Sequence, residues 1–248
     1  MKRIRLLISY DGTNYCGWQV QINGITVEEV INKALTDLLG EPIEVIGASR
    51  TDSGVHAVGN VAVFDSETRI PAEKISFALN QRLPNDIRIQ KSDEVPLDWH
   101  PRFQNSVKTY EYQILNRRFP DPLKRLYTHF VYMPLDAEKM KQAAAYLVGE
   151  HDFASFCSAG SQVQSTVRTV YTLDVKRVDD VISICISGNG FLYNMVRIIV
   201  GTLLKVGLGV YPPEHMKEIL EAKDRYAAGP KAPACGLALV KIEYEGEE

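Results

Sequence analysis

Thr26-Val-Glu-Glu-Val-Ile-Asn-Lys-Ala-Leu-Thr-Asp-Leu-Leu-Gly40 reads as one helix laid on a sheet. Thr26 and Glu29 stand at the capping-box spacing, and Gly40 suits the stop. Between them Val27, Val30, Ile31, Ala34, Leu35 and Leu38 form a single apolar stripe. Outward from the helix, Lys2 to Ser9 alternates, with Ile4, Leu6 and Ile8 on one face, and reads as a strand. A strand ending at Ile46 and another from Asn60 to Phe64 are expected next. A second helix is expected from about Pro71 to Leu83, with Ile75, Ala78 and Leu79 facing inward, and then a strand from Asp86 to Val95. The order is strand, helix, strand, loop, strand, helix, strand, close to a split βαβ sandwich with one extra strand.

The remainder starts again in the same manner. Val107 to Leu115 alternates as a strand, with Lys108, Tyr110 and Tyr112 on one face. Asn116 to Arg125 is a basic loop, read either as solvated or as a phosphate contact. A strand is expected over Tyr127 to Met133. Asp136 caps a helix with the stripe Met140, Ala143, Ala144 and Leu147, ended by Gly149. His151 to Gln164 reads as loop, and Arg168–Arg177 with Val181–Ser187 as a hairpin around Asp179-Asp180. Phe191 to Val206 is apolar almost all round, so the helix it predicts is buried. Arg197 in its middle, with Asn194 one turn back, needs a partner, because an unpaired buried charge is costly. Pro212-Pro213 opens a short helix to Ala222, and a basic loop, Lys223 to Cys235, precedes a last strand, Leu237 to Tyr244. The acidic tail Glu245 to Glu248 reads as frayed. The chain therefore reads as α+β, in two similar two-layer lobes, 1–104 and 105–248, with Pro96 to Ser106 as the hinge.

The 248 residues are enough for a substantial core. With 45% hydrophobic and 24% charged residues, the composition is that of a globular protein, not a disordered or fibrous one. A net charge of −3 and a pI near 6.0 argue against a wholly basic, nucleic-acid-gripping surface and leave room for a local basic groove. Cys16, Cys157, Cys185 and Cys235 are scattered, with no zinc-ligand pair, and are expected to be free thiols in the cytoplasm. No signal peptide is expected, because Lys2, Arg3 and Arg5 lead straight into strand-like residues. The longest apolar run, Ile198 to Leu204, is too short to span a bilayer, so no membrane partner is expected.

Chemistry is concentrated in Gly47-Ala-Ser-Arg-Thr-Asp-Ser-Gly-Val-His-Ala57. Asp52-Ser53-Gly54 is ordinary turn chemistry, yet a rigid sheet also presents catalytic groups on such a loop. An Asp serves as nucleophile or general base, and Arg50 two residues away favours its ionised form against desolvation. Asp52 and His56 suit two metal ligands, but the five histidines do not cluster and no metal is expected. The aromatic-rich Tyr10 to Gln19 loop reads either as cover for a core edge or as a ligand surface. Trp99-His100-Pro101-Arg102-Phe103 reads either as a covered linker or as a nucleic-acid contact, since aromatics beside a cation suit bases and phosphates. Phosphate-loop, dinucleotide and serine-elbow fingerprints are missing. One Asp, two Arg and a Tyr face need no cofactor.

The motif Gly47 to Ala57 resembles the catalytic motif of the tRNA pseudouridine synthase A family. Tyr10 to Gln19, Lys108-Thr-Tyr-Glu-Tyr112 and Phe191-Leu-Tyr-Asn-Met-Val-Arg197 with Gly201 resemble the same family, in its order. Ser49 departs from the Gly expected there and leaves Arg50 to Asp52 intact. The resemblance implies two ferredoxin-like (RRM-like) lobes with mainly antiparallel sheets and an active-site cleft between them. It implies isomerisation of uridines at positions 38 to 40 of the tRNA anticodon arm, by a cytoplasmic homodimer without cofactor. Asp52 is similar to the catalytic nucleophile, Tyr110 to the tyrosine stacked on the target base, and Arg197 to the arginine that pairs with the aspartate. Arg50 resembles the side chain that fills the space of a flipped base. His100, Arg102 and Phe103, and the Gly160 to Gln164 loop, fall where the family contacts tRNA. Two alternatives stand beside this reading: a non-catalytic RNA-binding module, and a metal-dependent hydrolase using Asp52 and His56.

Overall fold

The computed structural model describes residues 1–160 and 163–246. Among these the fold is mixed α+β, with five α-helices and ten strands that pair mostly antiparallel. Two compact units are present: Met1–Asn105 with Ala238–Glu248, and Ser106–Leu237. Among the described residues no helix is long and apolar enough to cross a membrane.

The first unit opens with β1 (Lys2–Tyr10), where Ile4, Leu6 and Ile8 are fully buried as alternation requires. α1 (Val27–Leu39) follows, with Thr26 Oγ1 accepting from Glu29 N and left-handed Gly40 (φ 72°) as its stop. Val27, Ile31, Ala34 and Leu35 are buried, and Val30 and Leu38 lie at the margin of the stripe. β2 is only Ile46–Gly47, shorter than the expected strand. Pro42 has no N–H, and two helix side chains capture the next donors: Thr36 Oγ1 takes Ile43 N–H and Asn32 Oδ1 takes Val45 N–H. β3 (His56–Ser66) starts four residues before the expected Asn60, so the Asp52 loop is shorter than it reads. α2 (Ala72–Asn80) ends before Leu83, and β4 (Ile87–Val95) closes this part.

β1 lies between β3 and β4, antiparallel to both, and β2 joins the far side of β3 antiparallel. The last strand of the chain pairs with that same side of β3, parallel, with Ala238 opposite His56 and Leu239 opposite Ala57. β3 is therefore flanked on both edges and buried along nearly its whole length. A smaller cluster, Ala48, Val61 and Tyr244 with Leu7, Trp99 and Ile242, fills a second apolar site.

The second unit contains β5 (Ser106–Asn116), β6 (His129–Val131), α3 (Ala137–Ala145), β7 (Gly149–Asp152), β8 (Val167–Val178), β9 (Val181–Gly188), α4 (Met195–Gly207) and α5 (His215–Ala222). β10 (Leu237–Tyr244) then returns to the first unit. The order β5-β9-β8-β7 is antiparallel throughout, and β6 pairs parallel with β5. β6 is shorter than Tyr127–Met133 because Asn116 Nδ2 binds both Val131 O and Met133 O, and Pro134 brings no donor. Gly149 (φ 113°) opens β7 instead of ending α3, so His151 and Asp152 belong to a strand that finds its partner in β8. The buried helix begins at Met195, not Phe191, because Asn194 takes a left-handed conformation (φ 60°). Arg197 accordingly lies in the first turn of α4. Of the Gly160 to Gln164 loop, residues 161 and 162 lie outside the described residues, as do the last two of the acidic tail.

Candidate active site

Backbone and side-chain bonds from three places hold the Asp52 loop in the first unit. Val55 N donates to Asp52 O at 3.1 Å, and Gly54 carries the positive φ (76°) of the turn. Behind the turn the Tyr10 to Gln19 segment donates and accepts: Trp18 N to Thr51 O at 3.0 Å, Gly54 N to Tyr15 O at 3.2 Å, and Ser53 Oγ to Tyr15 O at 3.3 Å. Gly17 (φ 86°) permits this approach, because a Cβ there would stand 2.7 Å from Thr51 O. Beneath, the Tyr10 hydroxyl and Thr51 Oγ1 bond at 2.7 Å, and Asn60 Nδ2 reaches both Tyr10 Oη (3.3 Å) and Ser49 O (3.1 Å). Tyr10, Thr51 and Asn60 are buried, Asp52 is half-buried and Arg50 is exposed. A fixed turn thus presents one carboxylate and one guanidinium.

The aromatic loop resolves as cover for the core. Tyr10, Tyr15 and Trp18 are buried, which leaves no aromatic ligand surface there. Tyr15 Oη donates to Asp86 Oδ1 at 2.7 Å, and burial, followed by that bond, pushes its phenol far above the ordinary value. His56 is buried in β3, with Nδ1 3.0 Å from Gly12 N and 3.1 Å from Asp11 Oδ1. Among the described residues no three His, Cys, Asp or Glu side chains converge as a metal site.

The hinge divides into an inner and an outer part. Trp99 packs edge-on against Tyr244 at 4.9 Å, and its carbonyl accepts from Arg3 Nη1 at 2.8 Å. His100 and Phe103 instead stack at 4.0 Å with rings 15° apart, and Phe103 is 82% exposed, with Arg102 exposed between them. Burial first, then Arg102 and Arg3, lowers the His100 pKa, so this ring is neutral at physiological pH.

In the second unit, Tyr110 sits mid-strand opposite Ile186, buried, its ring meeting Phe191 edge-on at 5.3 Å. Arg197 is buried at the start of α4, where Nε donates to Ala232 O at 2.8 Å and Nη1 to Asn194 Oδ1 at 3.3 Å. Ala232 N donates in return to Arg197 O at 3.0 Å. These two neutral oxygens fix the orientation of the guanidinium.

The sequence matches the family model described as tRNA pseudouridine synthase over residues 6–104 and 143–245. A tRNA pseudouridine synthase A of Thermoanaerobacter sp. (strain X514) is 50% identical over 244 residues, covering 98% of this chain and 100% of the relative. One from Acetivibrio thermocellus is 48% identical over the same length and coverage. A tRNA pseudouridine synthase A 2 of Clostridium perfringens is 46% identical, again over 98% and 100%.

The chain belongs to the tRNA pseudouridine synthase A family.

Asp52, Arg50, the hinge residues and Arg197 lie inside the matched segments, and Tyr110 lies between them. Reading the family motifs alone misses the side chains that carry the Asp52 loop: Tyr10, Thr51 and Asn60. Their signal was present in part, since Tyr10 and Thr51 belong to the two quoted motifs, but Asn60 reads only as the start of a strand. The structure also shows why Gly201 follows the Arg197 motif. A Cβ at Gly201 would stand 1.7 Å from Pro230 O, so only Gly lets the 223–235 loop lie on α4 and reach Arg197.

Proposed function

We propose that this family member isomerises uridines at positions 38 to 40 of the tRNA anticodon arm, with Asp52 as nucleophile. The observation that carries the reading is the Asp52 turn: a half-exposed carboxylate on a loop whose supports are buried and hydrogen-bonded. A target uridine in or beside a stem must leave its stack, at a cost of a few kcal/mol. Arg50, exposed beside Asp52, is assigned to the space the base vacates, and the His100–Phe103 stack with Arg102 to tRNA contact. Tyr110 and Arg197 are assigned to the target nucleotide. Asp52 adds to that nucleotide, the C1′–N1 bond breaks, and the detached base turns in place. A C1′–C5 bond then forms, C5 loses its proton, N1 takes one up, and Asp52 is released, so the product is an isomer of the starting uridine. The balance needs no oxidant, reductant or cofactor.

The working form is proposed to be a cytoplasmic homodimer, each subunit built from two ferredoxin-like lobes, 1–104 and 105–248. The strand order β4-β1-β3-β2 in the first unit supports the ferredoxin-like reading. Incubating unmodified tRNA with wild type and Asp52→Asn tests the nucleophile. Turnover is expected to drop by on the order of 10⁴ or more while tRNA still binds. Equal pseudouridine from both proteins would remove the assignment, and binding without turnover in wild type would leave only an RNA-binding module.

A further inference from the structure

Arg168 stands out among the cations of the second unit. It opens β8, half-buried, opposite His151 of β7. Its Nη1 donates to Ser165 O at 2.9 Å and to Val167 O at 2.6 Å. Among the described residues Nε and Nη2 make no hydrogen bond and no carboxylate lies within ion-pair distance. The nearest acid in sequence across the ladder, Asp152, is already engaged by Thr166 Oγ1 at 2.5 Å and Lys223 Nζ at 3.1 Å. A half-buried guanidinium without a counter-charge is costly unless something supplies one. Burial lowers its pKa, opposed only by the Cys157 thiol.

The surroundings place this cation against the segment whose Phe191 meets Tyr110, the tyrosine assigned above to the target nucleotide. A Cβ on Gly190 would lie 3.8 Å from Arg168 Nε, and Gly190 precedes Phe191, whose ring packs on Tyr110. The connection Gly188 to Asn194 thus starts against Arg168 and ends at Asn194, which binds Arg197. Arg168 and Arg197 flank the same short segment, but only Arg197 lies in a motif the sequence singled out.

We propose that Arg168 binds a tRNA phosphate, its open Nε–Nη2 edge forming a fork on the backbone of the strand whose uridine reaches Tyr110. A planar two-donor edge fits two phosphate oxygens, whereas an ammonium offers only a point charge. The inference rests on the proposed function, since it takes tRNA as the ligand.

The test compares wild type, Arg168→Ala, Arg168→Gln and Arg168→Lys for binding of unmodified tRNA between about 50 and 200 mM salt. Arg168→Ala is expected to bind about tenfold more weakly, with the log–log salt slope reduced in magnitude by about 1. KM rises accordingly, and kcat at saturating tRNA stays near wild type. Arg168→Lys restores the slope but not the full affinity. Arg168→Gln keeps an amide donor for Ser165 and Val167 and carries the same slope reading if Arg168→Ala does not fold. A wild-type slope in Arg168→Gln, or a lower melting temperature with unchanged tRNA affinity, overturns the proposal. Asp52→Asn serves as the control. If wild type makes pseudouridine and Asp52→Asn does not, a failure at Arg168 stands alone and leaves the proposed function intact.

Discussion

Gly201→Ala sets two physical effects against each other, and the structure decides the sign. In an isolated helix the change would stabilise by about 1 kcal/mol, since Ala is the better helix former. Here the added Cβ would stand 1.7 Å from Pro230 O and 2.8 Å from Pro230 C, both backbone atoms. That is about 2 Å short of ordinary contact, so the loop must leave α4. Three bonds depend on that contact: Arg197 Nε to Ala232 O, Ala232 N to Arg197 O, and Gly229 N to Thr202 Oγ1 at 2.9 Å. At about 1 kcal/mol each, their loss outweighs the helix gain and leaves a net cost of roughly 2 kcal/mol. In a chain of this size that lowers the melting temperature by roughly 4–8 °C. Turnover should fall further than stability, because Arg197 loses the carbonyl that orients it. The assay is thermal unfolding by circular dichroism together with pseudouridine formation at a temperature where both proteins are folded. A Gly201→Ala protein as stable as wild type, with full activity, would falsify the close-approach reasoning.

Tyr10→Phe removes the hydroxyl shared with Thr51 and Asn60 beneath the Asp52 loop. It should cost about 1–2 kcal/mol in urea unfolding and lower kcat more than tRNA affinity; an unchanged kcat sinks the support role. Phe103→Ala, at an exposed ring, should leave the melting temperature unchanged and weaken tRNA binding by about 1–2 kcal/mol. Equal binding by filter assay would remove Phe103 from the interface. The third concerns acid. His129 titrates near 6.5 when unfolded, and burial lowers its pKa in the fold. At higher pH both states are neutral and it contributes nothing; as pH falls through 6.5 the unfolded chain takes the proton first and stability drops. His129→Gln should therefore gain on wild type below about pH 6.5 in chemical unfolding, and a pH-independent difference between the two would show that His129 is not desolvated.

The sequence was most legible where local rules and tertiary needs coincide. The α1 cap, stripe and stop are present as read because Thr26, the apolar spacing and Gly40 each act within one turn. The β8–β9 hairpin and β10 were equally plain from alternation. Boundaries moved where a distant side chain took a backbone group: Asn32 and Thr36 shortened β2, and Asn116 shortened β6. Asn194 shortened the buried helix by adopting a conformation that apolar periodicity does not encode. The two readings of Tyr10 to Gln19 could be separated only by burial, which turned three aromatics inward.

The candidate site divides the same way. Asp52, Arg50, Tyr110 and Arg197 were named as candidates from their motifs, because polar and charged residue types stand out in a sequence. What holds them was not named: the Tyr10–Thr51–Asn60 bonds, the Gly17 approach and the Gly201 contact join residues far apart in the chain. By itself the sequence determined the α+β order of elements and the family, and it named the candidate side chains of the site. Only the tertiary structure decided which buried polar groups fix the Asp52 turn, which loop orients Arg197, and that Arg168 keeps an open donor edge among the described residues. The physical reason is that hydrogen-bond partners and close approaches depend on distance in space, which local pattern does not carry.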